Sequence, residues 1–127
     1  RLTKNYIRHL PSIVVDGDKM RQVFLNILRN ACEAVDEGGE INLALSCRQE
    51  DGVRKIDVRI SDNGVGIPEK DWENIFEPFI TTKASGFGLG LANARKIIEQ
   101  HKGSIKVVKK RGQGTAFEIQ IPCEGET

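Results

Sequence analysis

No apolar run among these 127 residues approaches the roughly 20 that a membrane span requires, and no signal peptide opens the chain. Direct membrane contact is therefore not expected. An excess of one charge is missing too. The 19 Lys and Arg residues against 18 Asp and Glu leave a net charge of +1, too small a field to draw in nucleic acid or an acidic surface. Lys109-Lys110-Arg111 is the one tight basic run, and at an expected hairpin turn it reads as a solvated tip. Cys32, Cys47 and Cys123 are odd in number and lack metal-ligand spacing. They fit idle thiols in a reducing cytoplasm, which is the expected location. Repeats and low-complexity tracts are absent as well. What is present suffices for one soluble domain with a real core: 39% hydrophobic and 29% charged residues are ordinary globular proportions. The abrupt ends suggest a domain cut from a longer protein.

Residues 1–11 carry little pattern and read as a linker or edge strand from an upstream domain, with the folded domain over 12–127. His9, followed by Leu10 and Pro11 with no acidic neighbour, reads as a surface histidine. Ile13-Val14-Val15 is a short strand closed by Asp16-Gly17. Asp18 then caps a helix from Lys19 to about Val35, ended by Asp36-Glu37-Gly38-Gly39. At about 100° per residue its apolar side gathers Met20, Val23, Phe24, Ile27, Leu28, Ala31, Ala34 and Val35. A narrower stripe holds Gln22, Asn26, Arg29, Asn30 and Glu33. A solvent face explains Gln22 and Arg29. Two asparagines one turn apart are less expected there, because asparagine is a mediocre helix former with no charge. An amide oxygen is, however, a good hard ligand for magnesium.

Ile41 to Arg48 and Val53 to Ser61 read as antiparallel strands joined at Glu50-Asp51-Gly52. In the second, Ile56, Val58 and Ile60 alternate with charged residues, and the strand runs into Ser61-Asp62-Asn63-Gly64-Val65-Gly66-Ile67-Pro68. A carboxylate at the edge of an apolar core can accept hydrogen bonds from the exocyclic amine of a purine. Gly64 and Gly66 permit positive φ, or a backbone close enough to touch a flat ring. Alone, Asp-x-Gly-x-Gly also describes a plain Asx-capped turn. Pro68 to Ile75 is expected to be a short helix, leading into a packing wedge at Phe76-Glu77-Pro78-Phe79.

Gly86, Gly88 and Gly90 then open a helix from Leu91 to about Lys102, amphipathic through Leu91, Ala94, Ile97 and Ile98 and terminated by Gly103. Backbone N–H groups at its start form an anion site, with Lys83 as a cation nearby. A loop with a glycine hinge is the competing reading. The motif is not a Walker A loop, since no Gly-Lys-Ser/Thr follows, nor a dinucleotide fingerprint, since no strand runs directly into it. Ser104 to Lys110 and Thr115 to Ile121 form a hairpin around Arg111-Gly112-Gln113-Gly114, with Thr115, Phe117, Ile119 and Ile121 on one face. His101, late in its helix, suits the helix C-terminus better than a metal.

In order, the Asn30 helix, Asp62-x-Gly64-x-Gly66, Phe76-x-Pro78-Phe79, Gly86-x-Gly88-x-Gly90 and Gly114-Thr115 resemble the motifs of the Bergerat-type ATP-binding domain. Within that superfamily the chain is most similar to the catalytic domain of bacterial two-component sensor histidine kinases. The resemblance covers about residues 10–122, nearly the whole chain. It implies an α/β two-layer sandwich, with a mixed, largely antiparallel sheet of about five strands and three helices on one face. It also implies that Mg-ATP lies between the first long helix and the glycine loops.

By that resemblance, Asn30 coordinates magnesium and Asn26 lies close to the phosphates or the metal. Asp62 binds the adenine amino group, helped by Thr115 through water, while Gly64, Gly66 and Ile67 shape the adenine wall. Ile80 to Ser85 form a lid from which Lys83 reaches the phosphates, and the amides of Gly86, Phe87, Gly88, Leu89, Gly90 and Leu91 cradle them. The lid is short and shares Thr81-Thr82-Lys83 with the nitrogen-regulation type of sensor kinase.

Two positions depart from the pattern. Many sensor kinases place lysine three residues after the metal-binding asparagine, where this chain has Glu33. Phosphate charge then falls to the metal, Lys83 and Arg29. Hydrolytic members, such as gyrase-type enzymes, carry a water-activating glutamate four residues before that asparagine; this chain has Asn26, and an amide cannot take a proton. The expectation is slow hydrolysis and in-line phosphoryl transfer from Mg-ATP to a histidine outside the chain, with Asn26, Asn30 and Lys83 as the catalytic set. Glu33 is the second candidate for a base. The acceptor belongs to a helical dimerisation domain, and a response regulator's receiver domain acts downstream. Two other classes share the fold: a serine kinase of the anti-sigma or dehydrogenase-kinase type, and a nonenzymatic nucleotide-sensing module.

Overall fold

Alternation of Ile56, Val58 and Ile60 with charged residues makes the central strand of a sheet, and the other elements are laid on either side of it. The computed structural model describes residues 2–6, 17–35, 38–77 and 90–122. Along the chain these form β1 (Leu2–Tyr6), α1 (Gly17–Ala34), β2 (Ile41–Glu50) and β3 (Val53–Asp62), then two 3-10 turns (Glu69–Asp71 and Asn74–Phe76). After them come α2 (Gly90–Gln100), β4 (Ser104–Val108) and β5 (Ala116–Pro122). The sheet order is β1-β2-β3-β5-β4. β1 lies parallel on β2, from Leu2 opposite Ile41 to Tyr6 opposite Leu45, and every other pairing is antiparallel. Of the two readings for residues 1–11, edge strand describes residues 2–6. The Ile13–Val15 strand and His9 lie outside the described residues.

Asp51 and Gly52 join β2 to β3 in a two-residue loop with φ of 52° and 78°, the left-handed pair that suits the twist of a hairpin. That loop locks a ten-residue register ending with Ile41 opposite Asp62. One face of the sheet carries the core. Ile56, Val58, Ile60, Phe117, Ile119 and Ile121 pack with Met20, Val23, Ile27 and Ala31 of α1 and with Ala94, Ile97 and Ile98 of α2. The other face is polar, with Arg48 paired to Asp57 at 3.2 Å and Lys106 near Glu118 at 3.9 Å. The two-layer sandwich follows from these periods: 2.0 along the strands and 3.6 along the helices.

Three local expectations need correction. Asp18 is not the helix cap, because α1 already begins at Gly17; Asp18 lies in its first turn, where a negative charge suits the helix dipole, 3.4 Å from Arg21. The third helix, expected over Pro68 to Ile75, is two 3-10 turns. Its bonds run three residues back, Asp71 N to Pro68 O at 2.8 Å and Glu77 N to Asn74 O at 2.9 Å. So short a stretch does not overcome the nucleation barrier of an α-helix, and Trp72 instead donates its indole N–H to the Ile67 carbonyl at 2.9 Å.

The end of α2 differs too. Lys102, with φ of 63°, takes the left-handed position. Its N–H reaches Glu99 O, and that of Gly103 reaches Ile98 O, both at 3.0 Å, a Schellman closure. Gly103 serves another purpose: a Cβ there would overlap the Gln120 carbonyl oxygen of β5. Of the two glycines expected to permit positive φ or a close backbone approach, Gly66 takes positive φ and Gly64 does not. Of the expected wedge Phe76-Glu77-Pro78-Phe79, Pro78 and Phe79 lie outside the described residues. Phe76 is buried edge-on against Phe117, with centroids 6.3 Å apart, and Arg95 of α2 covers its other side at 5.5 Å. His101 sits at the C-terminus of α2, its Nδ1 2.8 Å from the Ile97 carbonyl oxygen.

Candidate functional site

Antiparallel pairing of β3 and β5 sets Ser61 opposite Ala116, so Asp62, the last residue of β3, and Thr115, just before β5, meet at the sheet's end. The Asp62 N–H donates to the Thr115 carbonyl at 2.9 Å. In return, the Thr115 N–H donates to Asp62 Oδ1 at 3.3 Å, and that same oxygen accepts the Gly64 N–H at 2.8 Å. Asp62 is 2% exposed and Thr115 4%. Among the described residues, the second carboxylate oxygen, Oδ2, has no hydrogen-bond partner. The Asx turn and the ligand reading thus turn out to be compatible, because one oxygen folds the loop and the other is left over.

Asn63 fixes the loop from the opposite side. Its N–H donates to Glu40 O at 3.2 Å, and its side-chain oxygen accepts the Glu40 N–H at 2.9 Å. Gly66 adopts φ of 80°, and a Cβ on it would stand 3.3 Å from the Gly114 carbonyl oxygen. Gly114, at φ of 117°, is under tighter constraint, since a Cβ there would overlap the Asp62 carbonyl. Gly114 had no role assigned from the sequence beyond its place in Gly114-Thr115, and Asn63 had none. The signal for Gly114 was the dipeptide itself; for Asn63 the sequence offers none. Ile67 is partly buried against the core.

The polar stripe of α1 separates into two kinds of residue. Gln22, Arg29 and Glu33 are exposed, whereas Asn26 and Asn30 are half-buried at the margin of the core face. Each asparagine precedes a sealed residue, Ile27 at 0% and Ala31 at 1% exposed. The Asn26 Nδ2 donates to the carbonyl of Gly90, the first residue of α2, at 3.1 Å. Leu91 packs partly buried against the core one residue later. Of the expected site, then, Asp62, Gly64, Gly66 and Thr115 are joined at the sheet's end, and Asn26 and Gly90 are joined between the helices. Lys83, Gly86, Phe87, Gly88 and Leu89, with the rest of the expected lid, lie outside the described residues.

A cavity of about 140 Å³ opens beside the sheet's end, between Ile67 and Trp72 on one side and Lys109, Gly114 and Thr115 on the other. It takes in neither Asp62 nor any residue of α1, so it is not the cleft expected between the first helix and the glycine loops. Among the described residues no three His, Cys, Asp or Glu side chains gather to hold a metal ion. No described helix is long and apolar enough to cross a membrane.

Comparison with known proteins agrees with this geometry. Residues 15–125 match the family model described as "Histidine kinase-, DNA gyrase B-, and HSP90-like ATPase". The chain is 40% identical over 116 residues to Sporulation kinase E of Bacillus subtilis, covering 91% of this chain and 15% of that protein. It is likewise 40% identical over 113 residues to Sensor histidine kinase ZraS of Escherichia coli, covering 89% of this chain and 23% of that one. The chain thus spans less than a quarter of the length of either relative. Among solved structures, the nucleotide-free catalytic domain of histidine kinase ThkA superposes with a TM-score of 0.83 at 35% identity, over 96% of this chain and 78% of that one. Full-length ShkA in complex with AMPPNP gives 0.78 at 30% identity, over 95% of this chain and 25% of that one.

Proposed function

Because the chain belongs to the family of histidine kinase-, DNA gyrase B- and HSP90-like ATPases, we propose that it is the ATP-binding catalytic domain of a sensor histidine kinase. It binds Mg-ATP and presents the γ-phosphate to a histidine on a separate helical dimerisation domain, from which the phosphoryl group passes to a response regulator's receiver domain. The relatives named as sporulation and sensor kinases support this placement, and a cytoplasmic location goes with it.

The observation that carries the reading is the division of labour within the Asp62 carboxylate. Two backbone N–H groups hold Oδ1 and so set the plane of the group. Oδ2, which has no donor among the described residues, is the atom left to accept from the adenine amino group. Thr115 assists through water, and Gly64, Gly66 and Ile67 form the wall beside the ring. On α1, Asn30 is the metal-side residue. An amide oxygen is a suitable hard donor for such an ion. Magnesium, when bound with the nucleotide, supplies charge neutralisation at the phosphates. Lys83 adds a cation, and the amides from Gly86 to Leu91 cradle the phosphate oxygens. Transfer then rests on positioning.

The decisive measurement is calorimetric titration with a nonhydrolysable ATP analogue, with and without magnesium, on wild type and Asp62→Asn. In Asp62→Asn the two backbone donors require an oxygen at the Oδ1 position, which forces the NH2 group to face the purine amine. ATP-analogue affinity is expected to fall tenfold or more, while inosine triphosphate, with an acceptor at that position, loses less. Unchanged ATP affinity would remove Asp62 from the adenine site. Supplied with its helical domain, the wild type yields an acid-labile phosphohistidine; an acid-stable product would point to a serine kinase.

A further inference from the structure

The bond between Asn26 and Gly90 gives position 26 a role different from ligand or base. Gly90 is the first residue of α2, so its own N–H and the next three have no partner within the helix. Two of them, those of Gly90 and Leu91, are among the groups that, on the function proposed above, address the phosphates. Below them, Ala94 and Ile98 are sealed in the core and fix the body of the helix. At the tip, the Gly90 carbonyl is held by the Asn26 amide of α1 at 3.1 Å. A carbonyl oxygen cannot donate, so the amide must present its nitrogen, and the assignment of Asn26 Nδ2 follows from chemistry alone. The glycine is not there for space: a Cβ on Gly90 would stand 3.6 Å from Asn26 Cγ, an ordinary contact.

We propose that Asn26 is a positioning residue that latches the first turn of α2 to α1, fixing the amides of that turn relative to Asn30 one helical turn away. The role depends on the nitrogen. A carboxylate at position 26 could accept a proton but could donate nothing to Gly90, so latch and general base exclude one another at this site. The latch thus requires a donor at position 26, which a metal- or phosphate-facing oxygen would not.

Two measurements on the 127-residue chain test this. Without nucleotide, NMR should detect a scalar coupling across the hydrogen bond from the wild-type Asn26 side-chain amide to the Gly90 carbonyl carbon, together with shifts of the Leu91 to Ala94 amides in Asn26→Asp. Absence of both would overturn the latch whatever the nucleotide does. Affinity for the ATP analogue should then fall about five- to tenfold in Asn26→Asp, the loss of one neutral hydrogen bond plus repulsion, by the same factor with and without magnesium. Asn26→Gln, which keeps a donor, should lose less. A metal ligand predicts the reverse order, Asp tighter than Gln and only with magnesium, and that result would also overturn the proposal. If the wild type bound no adenine nucleotide, the kinase reading would fall, and the nucleotide-free spectra would still decide the latch.

Discussion

The two halves of the candidate site are built in opposite ways. At the sheet's end, the buried Asp62, Thr115 and Gly64 are tied by one backbone bond and two bonds from backbone N–H groups to the Asp62 carboxylate, with Gly114 packed against the Asp62 carbonyl. Between the helices, the half-buried Asn26 of α1 reaches the exposed Gly90 at the tip of α2 by a neutral side-chain bond. The first arrangement is over-determined and suits a rigid, always identical base. On the function proposed above, the second would meet a ligand that carries several charges and changes during turnover, and a neutral bond close to solvent can adjust to it.

Glycine substitutions should expose that contrast most sharply. Gly114→Ala forces a Cβ into the Asp62 carbonyl at a φ of 117°. The expected loss is about 3 kcal/mol or more in urea unfolding, combining clash with left-handed strain. A loss below about 1 kcal/mol would mean that the two strands can separate there. Asp62→Ala comes next. It strands the buried N–H groups of Gly64 and Thr115, so about 2–4 kcal/mol should go, along with nucleotide binding. Asp62→Asn keeps the acceptor and should stay near wild-type stability, so comparing the two variants separates folding from recognition. Gly90→Ala should do least, within about 0.5 kcal/mol of wild type, because the helical backbone and the space around it both admit a methyl group. A large effect there would make the helix junction as tightly built as the sheet's end.

Much of this arrangement could be read along the chain. Alternation through Ile60 made Asp62 an inward-facing carboxylate, and the structure buries it. Winding α1 put Asn26 and Asn30 on the polar stripe, yet it could not separate them from Gln22, Arg29 and Glu33, because only a second helix at the margin distinguishes a half-buried position from an exposed one. The turn at Asp51-Gly52 was legible because its φ requirement is local. The αL position at Lys102 was not: Gly103 looked like the stop, but it is glycine because β5 passes against it. The expected helix over Pro68 to Ile75 failed for a related reason, since Trp72 and Phe76 take their positions from Ile67 and Phe117 and not from a helical period.

By itself the sequence determined the order of the elements, the buried face of each, and the residue types able to meet a purine amine or a hard cation. Those depend on periodicity and functional groups, which are carried by neighbours in the chain. Tertiary structure alone decided which atoms of those residues are engaged: that Gly114 must be bare beneath Asp62, that Asp62 keeps one oxygen in reserve, and that Asn26 turns its nitrogen to Gly90. Each is a contact between segments some 50 or more residues apart, and its sign depends on distances of a few tenths of an ångström that only packing sets.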